Sequence, residues 1–152
     1  MVTELDKTLD ELQDAIIRDA RKIYSEKVIE RWLHPRNIGE IANCDGFGKI
    51  TGSCGDTMWI SLKVKDDEII DIKFMTDGCG TSLAAGSMVT ELAMGKKVRE
   101  AFKISQEVIL ENLDGLPEES IHCALLASNV LREALRDYVS TKNEPWKKTY
   151  KR

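Results

Sequence analysis

The 152-residue sequence has no apolar stretch that approaches the length of a transmembrane helix, so we expect no membrane span and no membrane partner. Its net charge of -4 is not the basic excess typical of nucleic-acid binding. The first ten residues are acidic, which argues against a signal peptide and predicts a cytoplasmic location. Internal repeats are also lacking, so we interpret residues 1–152 as a single domain with its own core.

Cysteine is scarce and scattered: there are four, and no two of them form a Cys-x-x-Cys pair. This lack of close pairs excludes the spacing of a zinc finger. Two disulfides would be the other use of four cysteines. In a reducing cytosol, however, dispersed cysteines accompanied by histidine and aspartate indicate metal binding or catalysis. A metal site in this chain would therefore have to be assembled by tertiary structure.

Helical periodicity dominates the start of the chain. Apolar residues recur at steps of three and four from Leu5 to Trp32, which predicts a helix over residues 3–33 with a break near Tyr24. We interpret residues 1–22 as an added N-terminal amphipathic helix. Such a helix is expected to pack on the domain or on a second copy of the chain, which would make a homo-oligomer.

Alternation of apolar and polar residues then predicts three strands. The period of two is clearest over residues 58–65 and returns over residues 70–75, after a turn at Asp66 and Asp67. These two strands are expected to form an antiparallel hairpin. Glycines punctuate a weaker first strand, which we predict over residues 47–51.

Helical periodicity resumes beyond the third strand. Helices are predicted over about residues 81–94, 98–102 and 105–112, and a last long helix begins at Ser120. The tail over residues 141–152 is expected to be frayed. The order of one helix, three strands and several helices implies an α+β fold, in which helices pack on one face of a three-stranded antiparallel sheet.

Three short segments place metal-binding side chains at predicted element boundaries. Cys54 and Asp56 precede the second strand, Cys79 precedes a helix, and His122 and Cys123 lie in the first turn of the last helix. Helix N-termini favour the thiolate, which is the form that binds metal and accepts sulfur. Three thiolates with a histidine or a carboxylate suit Zn²⁺ or an iron–sulfur cluster. The hard oxygen of Asp56 weakens the hold on a soft cluster and favours temporary binding.

The chain resembles the IscU/NifU-type iron–sulfur cluster assembly scaffolds. The resemblance covers about residues 23–140, and several motifs occur in the family's order. The matching stretches are Tyr24-Ser25-Glu26-Lys27-Val28-Ile29, Pro35-Arg36-Asn37-Ile38-Gly39, Cys54-Gly55-Asp56, Thr76-Asp77-Gly78-Cys79-Gly80 and Ile121-His122-Cys123.

The resemblance implies a scaffold that is not a turnover enzyme. Iron, and sulfur delivered by a cysteine desulfurase, would form a transient [2Fe-2S] cluster that passes to apo-proteins. Cys54, Cys79 and Cys123 correspond to the family's cluster cysteines, and Cys123 to its persulfide acceptor. Asp56 corresponds to the aspartate that makes the cluster labile, and His122 to a histidine that can serve as a ligand.

The resemblance has two gaps. Members served by an Hsc-type chaperone carry Leu-Pro-Pro-Val-Lys before the last motif, whereas this chain has Leu116-Pro117-Glu118-Glu119-Ser120, which argues against that partner. Before Cys54 the chain has Thr51-Gly52-Ser53 where many relatives have an Ala-Pro-Ala-like sequence.

Two other functions fit the same ligands. The first is a zinc-binding sulfur acceptor that stimulates a desulfurase, as in the SufU branch, although His122 and the lack of an insertion before Cys123 count against it. The second is a structural zinc domain, which would unfold on chelation.

We interpret Cys44 as a buried thiol outside the site, His34 as a helix-end residue, and the basic residues 96–99 as solvated surface.

Overall fold

Six α-helices and one three-stranded sheet make up the computed structural model, which describes residues 3–144 and residue 146. A short 3-10 turn, Glu118–Ser120, precedes the last helix. The elements in chain order are α1 (Glu4–Ala20), α2 (Glu26–Leu33), β1 (Gly46–Thr51), β2 (Thr57–Lys65), β3 (Glu68–Thr76), α3 (Gly80–Ala93), α4 (Val98–Ala101), α5 (Gln106–Asn112) and α6 (Ile121–Asn143).

The three strands form an antiparallel sheet in the order β1-β2-β3. The turn between β2 and β3 contains Asp66 and Asp67, whose φ angles are 55° and 60°. Aspartate tolerates this left-handed conformation better than most residues, and a tight hairpin requires it at both positions. The predicted hairpin is therefore present, and β1 begins one residue earlier than expected.

The core lies between the sheet and two helices, α3 and α6. Met58, Ile60 and Leu62 of β2 are fully buried, as are Ile72 and Phe74 of β3, because alternate side chains of each strand face the helices. α3 is buried along most of its length and is rich in small residues, so it can lie close to the sheet. The predicted α+β fold, with helices on one face of the sheet, is confirmed.

The predicted break in the first helical segment is also present. Ser25 caps α2 by accepting a hydrogen bond from the Val28 N–H, and its own hydroxyl donates to the Leu113 carbonyl. α1 ends at Ala20 and none of its residues is buried. The predicted amphipathic extension is therefore a separate helix whose apolar side is exposed.

The prediction of a frayed tail was wrong for its first residues. α6 continues through Asn143, because Lys142 Nζ lies 2.6 Å from Asp67 Oδ1 and the Tyr138 hydroxyl donates to the same atom. These contacts fasten the end of α6 to the β2–β3 turn. Residue 145 and residues 147–152 of the predicted tail lie outside the described residues.

The structure also bears on the expected lack of a membrane span. Within residues 3–144, no helix combines the length and the apolar character needed to cross a bilayer.

Two glycines of β1 allow α6 to lie directly on this strand. A Cβ atom at Gly46 would lie 2.4 Å from the Ala134 carbonyl oxygen, and one at Gly48 would lie 2.6 Å from the Ala134 nitrogen. Real Cβ atoms do not approach backbone so closely. The position of α6, and with it the position of Cys123, therefore depends on the lack of side chains in β1.

We predict that Gly48→Ala lowers the free energy of unfolding by about 1–3 kcal/mol, the usual cost of overpacking a core. The obstructing atoms belong to the α6 backbone, so they cannot give way cheaply. Gly52→Ala is the matched control, because its Cβ would meet only ordinary contacts at 3.5 Å or more. Urea denaturation measures both changes, and equal stability of the two variants would contradict this account of the β1–α6 contact.

Candidate metal centre

The three predicted cluster cysteines come from three element boundaries that meet at one end of the sheet. Cys54 lies in the β1–β2 loop, Cys79 is the N-cap residue of α3, and Cys123 lies in the first turn of α6. Cys54 and Cys79 are exposed, whereas Cys123 is buried. None of the chain's four cysteines, all within the described residues, forms a disulfide.

A tight turn presents Cys54 to solvent. The Gly52 N–H donates to the Asp56 carbonyl at 2.8 Å, and the Gly55 N–H donates to the Gly52 carbonyl at 3.0 Å. Gly55 has a φ of 91°, which favours glycine because it has no Cβ atom. This turn directs Cys54 outward and leaves Asp56 half-buried beside the start of β2.

Asp77 fastens this turn to the loop that carries Cys79. Its Oδ1 atom accepts from the Thr57 N–H at 2.7 Å, and its own N–H donates to the Thr57 carbonyl at 3.2 Å. The Thr76 hydroxyl donates to the same carbonyl at 2.8 Å. The residue that follows Asp56 is therefore held by residues just before Cys79, which fixes the two loops relative to each other.

Two buried hydroxyls connect the candidate ligands. Thr81 Oγ1 lies 3.0 Å from Cys79 Sγ and 3.3 Å from Cys123 Sγ. Ser82 Oγ donates to Asp56 Oδ2 at 3.2 Å and lies 3.6 Å from Cys123 Sγ. The first turn of α3 thus contacts both thiols and the carboxylate.

The pKa of the Cys79 thiol is lowered. Burial acts to raise this pKa, but it is outweighed by the Thr81 hydroxyl, by the backbone N–H groups of Ser82 and Thr81, and by the Ser82 hydroxyl, all of which stabilise the thiolate. The predicted effect of a helix N-terminus is therefore present at Cys79, where the amides of the first turn converge on the sulfur.

The same prediction was wrong for Cys123, whose pKa is raised. Burial is the largest cause, and the Thr81 and Ser82 hydroxyls compensate only in part, while the nearby Cys79 and Cys54 raise the pKa further. Because Thr81 has a single hydroxyl proton, it can donate to only one of the two sulfurs at a time.

His122 lies beside Cys123, and its Nε2 atom is 3.7 Å from Cys123 Sγ. The five predicted site residues are therefore grouped at one end of the fold. They do not form a finished coordination sphere, since no three His, Cys, Asp or Glu side chains among the described residues are arranged to hold a metal ion. Hydroxyl groups occupy the positions between them.

Trp32 of α2 forms one wall of this region. A Cβ atom at Gly80, the residue after Cys79, would lie 2.2 Å from the Trp32 ring, so the indole packs directly on the first turn of α3. The Tyr24 ring meets Trp32 edge to face, with ring centroids 6.0 Å apart. Trp32 therefore covers the backbone at Gly80, and Tyr24 packs against the edge of that wall.

The sequence analysis did not select Thr81 and Ser82. The helix begins at Gly80 with Cys79 as its N-cap, so both hydroxyls lie inside the first turn. Two hydroxyl residues, two and three positions after a cysteine at a helix start, were the available signal. Asp77 was noticed only as part of a motif.

The residues that we expected outside the site do lie outside it. Cys44 is buried next to the start of β1. His34 is the C-cap residue of α2. Lys96, Lys97 and Arg99 are exposed, and Lys97 Nζ donates to the Asp66 carbonyl at 3.2 Å.

Known proteins of similar sequence are named as cluster scaffolds. The chain is 47% identical over 117 residues to the iron-sulfur cluster assembly scaffold protein IscU 1 of Archaeoglobus fulgidus, which covers 76% of each chain. It is 43% identical over 122 residues to the IscU scaffold protein of Escherichia coli K12, which covers 77% of this chain and 94% of that one.

Two solved structures share the fold. A protein described as an iron–sulfur cluster assembly scaffold of the SUF system from Fervidobacterium islandicum superposes with a TM-score of 0.62 at 25% identity, covering 75% of this chain and 97% of that one. The N-terminal part of a NifU-like protein from Brucella abortus gives 0.60 at 19% identity, covering 78% and 95%, and supports the fold alone.

The family model described as the NifU-like N terminal domain matches residues 23–145. This range agrees with the predicted extent of the resemblance and leaves α1 outside the match. The resemblance inferred from the motifs is confirmed: the chain belongs to the NifU-like N terminal domain family.

Proposed function

We propose that this chain is a scaffold on which iron and sulfide form a transient [2Fe-2S] cluster, and from which the cluster passes to apo-proteins. The observation that carries the proposal is the grouping of three thiols, one carboxylate and one imidazole around the hydroxyls of Thr81 and Ser82. The IscU scaffold names of the relatives support the same function. Its partners would be a cysteine desulfurase and apo iron–sulfur proteins.

In this proposal the hydroxyl contacts are exchanged for bonds to iron. Cys54 and Cys79 are exposed and make the first contact with incoming iron, and the lowered pKa of Cys79 supplies a thiolate. Cys123 and Asp56 bind iron only after their hydrogen bonds to Thr81 and Ser82 break. The bonds of iron to Cys79, Cys123 and Asp56 would replace hydroxyl contacts, and the hard oxygen of Asp56 would keep the hold on a soft cluster weak, so that the cluster remains exchangeable.

Cys123 is the proposed sulfur acceptor. Its thiolate attacks the outer sulfur of the desulfurase persulfide, the sulfur–sulfur bond breaks, and the desulfurase cysteine leaves as a thiolate. Cys123 is buried and its pKa is raised, so this step requires the start of α6 to open and the thiol proton to leave. Burial then protects the new persulfide from competing thiols.

A second candidate function is a zinc-binding sulfur acceptor that stimulates a desulfurase. The likeness to the SUF-system protein favours it, and the same thiolates suit zinc. His122, which the SufU branch lacks, favours the cluster scaffold instead. Metal analysis of the chain isolated without oxygen separates the two functions, since stoichiometric zinc without iron would support the second.

We predict that anaerobic reconstitution with ferrous iron, cysteine, a desulfurase and dithiothreitol, which reduces the persulfide sulfur to sulfide, gives the absorption and Mössbauer spectra of a [2Fe-2S] cluster. The three thiolates supply the soft ligands that such a cluster requires. Cys44→Ser is the matched control, because this buried thiol lies outside the site and should leave cluster formation intact. A chain that takes up zinc but gives no iron–sulfur chromophore would contradict the proposal.

We predict that Thr81→Val shifts the alkylation of Cys79 by iodoacetamide to higher pH and slows it several-fold at neutral pH. Valine keeps the shape of threonine but lacks the hydroxyl that helps to lower the Cys79 pKa. The pH profile is measured by mass spectrometry on metal-free, reduced protein. Thr81→Ser keeps the hydroxyl and should retain the original profile. An unchanged profile in Thr81→Val would mean that Thr81 does not stabilise the thiolate.

A further inference from the structure

The exposed side of α1 carries an apolar stripe that the proposed function does not use. Its members follow steps of four, three and four residues within the helix and one of seven beyond it, which is the spacing of a two-stranded coiled-coil seam. Each is more than half exposed: Leu5 67%, Leu9 54%, Leu12 57%, Ile16 55% and Ile23 62%. α1 also lies outside the range that matches the family model.

The charges of α1 are divided along its length. Five acidic residues and one basic residue, Lys7, lie over residues 4–14. Arg18 near the end of α1, and Arg21 and Lys22 just beyond it, outnumber the one acidic residue there, Asp19. This division favours the single helix through its macrodipole, but it does not account for the apolar stripe. In a parallel pair of α1 helices the two acidic ends would lie together, and in an antiparallel pair each acidic end faces a basic one.

We propose that α1 is a self-association helix, which pairs antiparallel with α1 of a second copy of the chain through Leu5, Leu9, Leu12 and Ile16. The seam buries these residues, and the divided charges select the orientation. A membrane surface is a poorer occupant, because the helix is acidic along most of its length and anionic lipids attract basic helices.

The size of the seam limits the strength of this dimer. α1 has 17 residues and is therefore about 25 Å long. Four apolar side chains from each helix bury on the order of 500–1,000 Å² in total, which is below the size of a standard stable interface. The dimer is therefore weak and reversible, and it populates as the protein concentration rises.

Sedimentation equilibrium of the full chain tests the proposal, from about 10 µM to about 1 mM, the range that suits an interface of this size. A reducing agent and a chelator exclude dimers formed through Cys54 or a shared metal. We expect a reversible monomer–dimer equilibrium in the unaltered chain. Leu12→Glu places a charge in the seam and should raise the dissociation constant at least tenfold.

Lys7→Glu is the matched control, because it introduces the same side chain on the side of α1 opposite Leu12. Glutamate suits a helix interior, and Leu12 is exposed, so both variants should keep the circular dichroism of the parent. The Lys7→Glu chain should dimerise no more weakly than the unaltered one. A monomer at every concentration, or equal dimerisation of the Leu12→Glu chain, would overturn the proposal.

Carbodiimide cross-linking of a mixture of ¹⁴N- and ¹⁵N-labelled chains tests the orientation. The antiparallel pair predicts mixed-isotope cross-links between Lys22 of one chain and Glu4 or Asp6 of the other, the acids nearest to Lys22 when Leu5 packs opposite Ile16. Mixed-isotope cross-links of Lys22 to Asp19 alone would indicate a parallel pair and reject the charge argument. Cross-links of Lys22 to Asp19 within single chains are expected in every case, because Lys22 Nζ lies 3.5 Å from Asp19 Oδ1. A lack of any mixed-isotope cross-link of Lys22 would overturn the proposal.

Discussion

The site depends on the contact between the first turns of α3 and α6. Thr81 lies in one of these turns and Cys123 in the other, and the Thr81 hydroxyl contacts both Cys123 and Cys79. This contact requires α6 to lie close to β1, which in turn requires the bare backbone of Gly46 and Gly48. The distances between the candidate ligands are thus set by packing far from the thiols.

The three thiols have different environments. Cys54 is held outward by a glycine turn, Cys79 is exposed but stabilised as a thiolate, and Cys123 is buried with a raised pKa. A structural zinc site would more usually have equivalent thiolates in a closed sphere. Unequal thiols with hydroxyl and carboxylate partners suit a cluster that is assembled stepwise from iron and sulfide and is then transferred intact.

Much of the fold could be predicted because the local signals agreed with one another. The alternation in β2 and β3 and the aspartates of their turn gave the hairpin, and the change of period after Cys79 gave the start of a helix. The candidate metal-binding residues could be selected because each one lies at such a boundary. The lack of Cys-x-x-Cys pairs indicated that only tertiary structure could bring them together.

The unpredicted features arise from contacts between distant segments. The burial of Cys123 comes from the crossing of α3 and α6, and its raised pKa follows from that burial. The extension of α6 to Asn143 depends on Asp67, which is far away in the sequence. The exposure of the apolar side of α1 could not be predicted either. An amphipathic pattern indicates that a helix packs on something, but it does not indicate whether that is its own domain or another chain.

In the proposed function the cluster is held reversibly, and Asp56 makes it so. The most direct test of this reversibility loads the chain with a ⁵⁷Fe cluster and follows the label by Mössbauer spectroscopy into an unlabelled apo-ferredoxin, with a chelator present to capture free iron. We predict that the cluster passes intact from the unaltered chain, and that Asp56→Ala retains it longer and transfers it more slowly. Asp10→Ala, a change in α1, is the control and should transfer normally. Faster loss of the cluster from Asp56→Ala, or transfer that the chelator abolishes, would contradict the account.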